Sequence, residues 1–358
     1  MEEDIEEPES LIPQKVLDLA DHALARLPPR WRNWITRMIS GTTLITGFSV
    51  LVSMGPIGLI SLTYLVEYAC YNEVLNMGKN VLNVKEPEIT KWCWYLFLVM
   101  HWLIIAGDIS IDLTCLPILD FVFKYYLAFG FAAYMTLIVF FVFSMVRDQL
   151  YMRRYALFAW CHIWLLSFAL PGHLLNKAML HGLMWYVLPM GIITINDIAA
   201  YMVGFFVGKT PLIKLSPKKT QEGFVGGGIL TLLLGTTFTC YLTVPYLVCP
   251  VQINGDYLTH VLHGDFSTSL FNVMTECQIP SYLQDYAVLN GVFISLFCSL
   301  IGPFGGFLAS GLKRACKRKN FGSFIPGHGG VLDRCDCMFL MAGFSYVYLK
   351  TLQTAELL

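Results

Sequence analysis

Charge is what this chain has least of. Only 14% of its 358 residues are Asp, Glu, Lys or Arg, against 56% hydrophobic residues, whereas a soluble domain carries roughly 25% charged residues. A water-soluble globular fold is thereby excluded. So is nucleic-acid binding through a net basic surface, because 24 Lys+Arg are balanced by 25 Asp+Glu. The 11 cysteines lack the paired CxxC spacing of a metal site. Most of them sit inside apolar runs as small packing residues, and Cys335 and Cys337 at the start of one such run read the same way. Cys249 and Cys277 differ, since they flank a long polar loop where an oxidising reticulum lumen would permit a disulfide. No basic-then-apolar leader opens the chain: MEEDIEEPES is acidic and reads as a disordered tail.

What the chain does have is hydrocarbon-compatible length. Apolar runs recur at about 38–53, 57–76, 92–107, 125–146, 155–173, 182–207, 224–247, 286–311 and 336–352, each close to the roughly 17 to 25 residues that cross a bilayer. The expected fold is an all-α polytopic membrane protein with about nine transmembrane helices. Gly55-Pro56 between the first two runs predicts a helical hairpin. An acidic tail and basic juxtamembrane segment would occupy 1–37, and one transmembrane catalytic domain 38–352. Charge placement tests this division independently, because cytoplasmic loops accumulate Lys and Arg. With the N-terminus in the cytoplasm, all of the 24 Lys+Arg except Lys124, Lys177 and Lys350 fall on the cytoplasmic side.

Two polar constellations interrupt the apolar pattern, both on that side. The first begins with Asp197 inside ITINDIAAYMVGFFVG, where a carboxylate is costly and marks a functional site or a packing partner. The loop KTPLIKLSPKKTQEGFVGGG follows, with Ser216, Lys218, Lys219, Thr220, Glu222 and the glycines Gly226 to Gly228. Cations, hydroxyls and backbone amides near a helix start make a phosphate site. The second is SGLKRACKRKNFGSFIPGHGGVLDRCD over 310–336, with a cationic wall, a Gly-rich turn and paired carboxylates.

The second segment resembles the signature of the phosphatidate cytidylyltransferases, the CDP-diacylglycerol synthases. Ser310, Lys313, Arg314, Lys319, His328, Gly329, Gly330, Asp333, Arg334 and Asp336 fall at its spacings. The Asn-Asp pair at 196–197 and SPKKTQEGF at 216–224 resemble the eukaryotic members, with Gln221 in place of their Trp. One signature position departs: Asn320 stands where the family carries an Asp, and Gly306 occupies a place that is acidic in bacterial relatives. The resemblance runs from about residue 33 to 350.

The resemblance implies an enzyme of the endoplasmic reticulum membrane that condenses CTP with phosphatidate, using Mg²⁺ and working as a homodimer. Two polyanions must meet, so neutralisation and alignment outweigh a strong base. Asp333, Asp336 and the Asn320 amide are the implied metal ligands. Asp333, Asp336, Asp197, Lys319 and His328 are the implied catalytic set. Ser216, Lys218, Lys219, Thr220, Glu222, Ser310, Lys313, Arg314, Gly329, Gly330 and Arg334 are the implied substrate contacts, with glycine amides approaching the polyphosphate. Asn320 leaves three readings open: a slow enzyme, an inactive paralogue that binds CTP and lipid, or a substitution that traps substrate. A lipid transporter or scramblase is the alternative from another class, but no inverted repeat supports it.

Overall fold

The computed structural model describes residues 29–108, 117–146, 151–213, 215–253, 271–273, 277, 279–322 and 329–356. The expected disordered tail, apart from its basic end, and His328 lie outside them. The chain runs through α1 (Pro29–Ser53), α2 (Pro56–Leu82), α3 (Pro87–Asp108), α4 (Pro117–Lys124), α5 (Tyr126–Val146), α6 (Tyr151–Leu180) and α7 (Met184–Phe206). A hairpin of β1 (Pro211–Ile213) and β2 (Ser216–Thr220) leads into α8 (Gln221–Leu242) and the short α9 (Pro245–Val248). A second hairpin, β3 (Val251–Ile253) with β4 (Phe271–Val273), precedes α10 (Ser281–Gln284), α11 (Ala287–Leu300), α12 (Gly302–Ala315) and α13 (Leu332–Glu356). The all-α polytopic architecture is as the apolar runs indicate.

Every expected span falls on a helix, yet only five segments among the described residues are both long and apolar enough to cross a membrane by those criteria alone. Two of the four spans that fall short do so because of charge: α2 carries Glu67, Glu73 and Lys79, and α13 carries Asp333, Arg334, Asp336 and Lys350. In α1 the apolar part, Gly41–Ser53, is short. The run at 286–311 is broken, because Ile301 ends α11 and Pro303 opens α12, where its missing N–H is harmless. Between α1 and α2, Gly55 takes φ 71 and Pro56 starts the next helix, closing the expected hairpin.

Bilayer-facing surfaces are apolar, as Phe143 (65% exposed), Leu233 (64%) and Leu308 (72%) illustrate; in water such exposure would drive aggregation. Interior packing relies on small residues that let backbones approach. Gly223, Gly227, Thr231, Gly235 and Thr239 form a buried i+4 stripe on α8, which meets α7 and α11. Two buried clusters result, one around α2, α3, α5 and α6, the other around α7 and the latter half of α13. Cys249 and Cys277 form a disulfide at the end of the bundle remote from the β1–β2 hairpin. Cys335 and Cys337 are buried in packing, as their sequence context indicates.

Candidate active site

Asp197 is placed by a close helix pair. A Cβ on Gly227 would lie 2.7 Å from Ala200 Cα, so α8 and α7 touch backbone to backbone there. One turn away, Thr231 donates to Asn196 Oδ1 at 3.0 Å, which fixes the rotation of α7. Asp197, next in sequence, then opens into a large cavity. Lys219, from the loop that follows, and Asp336 both lie beside Gly306, so the first constellation and the second converge.

The signature segment is described over the end of α12, residues 316–322 and 329–331, and the start of α13. Asp333 lies at its centre: Oδ1 accepts from Lys313 Nζ, while Oδ2 accepts from Phe321 N at 3.0 Å and Gly330 N at 2.9 Å. Gly329 turns the chain at φ +89, and a Cβ there would meet both Asp333 Oδ2 (3.1 Å) and Asn320 Cγ (3.2 Å). Asn320 and Asp333 therefore face each other across one glycine. Asp336 lies one turn further along α13, accepts from its neighbour Cys337 N at 2.8 Å, and packs beside Gly306 of α12 together with Lys219. Lys219 is also held over the Phe307 ring, 4.8 Å from its centroid. Gly306 and Lys313 are seven residues apart on α12, so Asp333 and Asp336 meet one face of that helix.

Several residues assigned to substrate on sequence grounds have their polar atoms committed to the fold. Thr220 caps α8 by accepting from Gly223 N at 3.2 Å. Glu222 braces the β1 end of the hairpin, accepting from Lys209 N (3.1 Å) and Thr210 N (3.2 Å) as well as from the Thr210 hydroxyl. The Gly330 N–H is taken by Asp333, so it does not point at a phosphate. Gly226 to Gly228 lie in the second turn of α8, because the helix starts at Gln221 rather than near 224, and the space beside them is filled by Val203, Ala200 and Ser299. Their role is helix packing. Ser216 and Ser310 are half-buried, Arg314 is exposed, and the Lys218 side chain lies outside the described residues.

The cavity measures about 2500 Å³, well beyond the 300–1,000 Å³ usual for small-molecule pockets. Lys317, Arg318, Lys319, Asn320, Arg334 and Asp197 line its charged end. Leu44, Phe48 and Val52 of α1, Val66 of α2, Met190 of α7 and Phe238 of α8 line an apolar shaft. Asp333, Asp336, Lys313 and Lys219 are not among the lining; they form the seam of α12 and α13 behind the charged end. Among the described residues no three His, Cys, Asp or Glu side chains converge as a ready-made metal cage.

Two acidic residues of α2 escaped the sequence reading. Glu73 accepts from Val331 N at 2.8 Å and Leu332 N at 3.0 Å, and lines the cavity. Glu67 is buried against His101 of α3, Oε2 to Nε2 2.7 Å, with His101 Nδ1 2.8 Å from the Phe97 carbonyl. The signal was available, since each is a carboxylate within an apolar run, as Asp197 is.

Comparison with known proteins gives a consistent answer. The sequence matches the model of the Cytidylyltransferase family over residues 35–352. A phosphatidate cytidylyltransferase of Caenorhabditis elegans is 37% identical, the match covering 98% of this chain and 79% of the relative. Phosphatidate cytidylyltransferase 2 of Mus musculus is 36% identical over 93% of this chain and 78% of its own. Phosphatidate cytidylyltransferase 1 of Homo sapiens is 36% identical over 93% and 75%.

Proposed function

The chain belongs to the Cytidylyltransferase family, and we propose that it is a phosphatidate cytidylyltransferase, joining CTP to phosphatidate to give CDP-diacylglycerol and pyrophosphate. The observation that carries this reading is the amphipathic cavity. Its apolar shaft suits acyl chains, and its charged end, with Lys319, Arg334 and Asp197, suits the meeting of a lipid phosphate with a nucleotide. An oxygen of the lipid phosphate attacks the α-phosphorus of CTP. A P–O bond forms there and the bond to the pyrophosphate oxygen breaks. A phosphate monoester is already ionised at neutral pH, so the residues' work is alignment and charge compensation. Arg334 and Lys319 bind and orient phosphate oxygens, Lys218 and Lys219 the triphosphate. Lys313 holds Asp333 in place.

A divalent cation, Mg²⁺, fits the donors present. Asp197 and Asp336 are near enough to repel each other, and Mg²⁺ takes one or two carboxylates with waters and phosphate oxygens. Asp336 and Asp197 would hold it, and Asp333, whose oxygens already accept from Lys313 Nζ, Phe321 N and Gly330 N, would join with the Asn320 amide oxygen through a remaining lone pair. When bound, the ion neutralises charge on the phosphates. A homodimer in the endoplasmic reticulum membrane with this site facing the cytoplasm belongs to the same proposal, supported by the family resemblance and the side on which the basic loops gather.

The test is purified protein in mixed micelles with phosphatidate, CTP and Mg²⁺, following pyrophosphate and the lipid product together. Stoichiometric release that Asp336→Ala abolishes is the expected result. Lipid movement between leaflets without CTP consumption would overturn the reading in favour of a scramblase.

A further inference from the structure

We propose that Glu73 is a positioning residue for the transfer, holding the signature turn from outside the signature. The inference rests on the proposed function only for its kinetic part. The start of a helix leaves N–H groups without intrahelical partners, and at α13 those of Val331 and Leu332 are buried with their residues. Glu73 supplies both acceptors, Oε1 to Val331 and Oε2 to Leu332. Its negative charge also sits at the positive end of the α13 dipole. Immediately beside it, Asp333 accepts from Gly330 N and Phe321 N. Two carboxylates thus divide the amides of one turn between them, one from the signature and one from 258 residues earlier in the chain.

The glycines of the turn fit this role. A Cβ on Gly330 would come within 2.5 Å of Glu73 Oε2, and one on Gly322 within 2.7 Å of Oε1. Gly322 and Gly330, both within the signature segment, therefore both pack against the Glu73 carboxylate. Arg334, which reaches the cavity, and Asp333 and Asp336, which face α12, all project from the helix that Glu73 caps. Their common origin is the first two turns of α13, so a displacement of the helix start moves all three together. Glu73 also belongs to α2, a wall of the cavity from Leu62 to Asn80. The bracing group is part of the surface on which a lipid would rest.

Glu73→Gln keeps the shape, removes the charge and turns an amide NH₂ toward one of the two N–H groups. The experiment pairs hydrogen exchange of the 329–338 segment in detergent with steady-state kinetics. Exchange of this turn should accelerate by about ten- to a hundredfold, as expected for losing hydrogen bonds to a charged acceptor, while exchange of α8 stays unchanged. Misplacement near 1 Å reduces turnover by about a hundredfold, so kcat should fall by that order with the KM for CTP within about twofold. Glu73→Asp, which retains the charge and both acceptors, should recover part of kcat. Unchanged exchange overturns the proposal, as does accelerated exchange with kcat intact. A chain whose unaltered form makes no CDP-diacylglycerol would refute the proposed function instead, leaving the exchange measurement to decide on Glu73.

Discussion

Replacing Asn320 by Asp tests the charge balance of the site at one atom. Asn320 Cγ and Asp333 Oδ2 lie 3.2 and 3.1 Å from the point where a Gly329 Cβ would sit. A carboxylate at 320 would then stand within about 6 Å of Asp333, and at an effective dielectric of 20 the two charges repel by about 2.8 kcal/mol. Exposure of Asn320 to the cavity adds solvent screening that reduces this repulsion. Without divalent cation, Asn320→Asp should lower the melting temperature in detergent. With Mg²⁺ the same charge becomes a ligand, so added Mg²⁺ should stabilise the variant more than the parent. Charge stabilisation at a phosphate-transfer centre is commonly worth about 2.7 to 4 kcal/mol, or roughly a hundred- to a thousandfold in rate. Pyrophosphate release should rise by that order, while CTP affinity, which the proposed function assigns to lysines and Arg334, changes little. The assay varies Mg²⁺ in mixed micelles and follows pyrophosphate alongside thermal unfolding. Equal rates and equal Mg²⁺ responses in parent and variant would refute the reasoning.

Further outcomes follow from the packing. Gly227→Ala forces a methyl group against Ala200 backbone and should cost about 1–3 kcal/mol, seen as a lower melting temperature and lost activity as Asp197 shifts, whereas Gly228→Ala, with its nearest neighbour at 3.6 Å, should be near neutral. Glu222→Ala should loosen the Lys209–Thr210 end of the hairpin and raise the KM for CTP several-fold while leaving the melting temperature almost unchanged; an unaltered KM would show that the hairpin holds its shape without this brace. Cys249→Ser opens a loop of sequence separation 28, worth about 3–4 kcal/mol by loop-closure entropy, and should lower thermal stability without changing the KM for CTP.

The fold was legible because the bilayer imposes its own grammar. Long apolar runs placed every span on a helix, and the Gly55-Pro56 hinge was readable as punctuation. The site was legible only in part. Motif spacing singled out Lys313, Asp333 and Asp336, which the fold brings to one face of α12, but spacing does not tell a residue that meets substrate from one that holds the fold. Gly226 to Gly228 belong to a helix seam, and Thr220 and Glu222 to a cap and a brace, because helix starts and turns leave backbone N–H groups that nearby side chains satisfy.

That same requirement explains why Glu73 was not legible as part of the site. Its partners are backbone amides of Val331 and Leu332, and a backbone amide has no residue type to leave in a motif. A carboxylate in an apolar run is a costly choice wherever it occurs. Asp197 drew attention because a phosphate-like loop follows it within the chain, whereas Glu73 meets its loop only after folding brings α2 against the start of α13. Intramembrane carboxylates are therefore informative before their partners are known. In this chain each of Glu67, Glu73 and Asp197 lines the same cavity, so their shared costliness in sequence corresponds to a shared location in space.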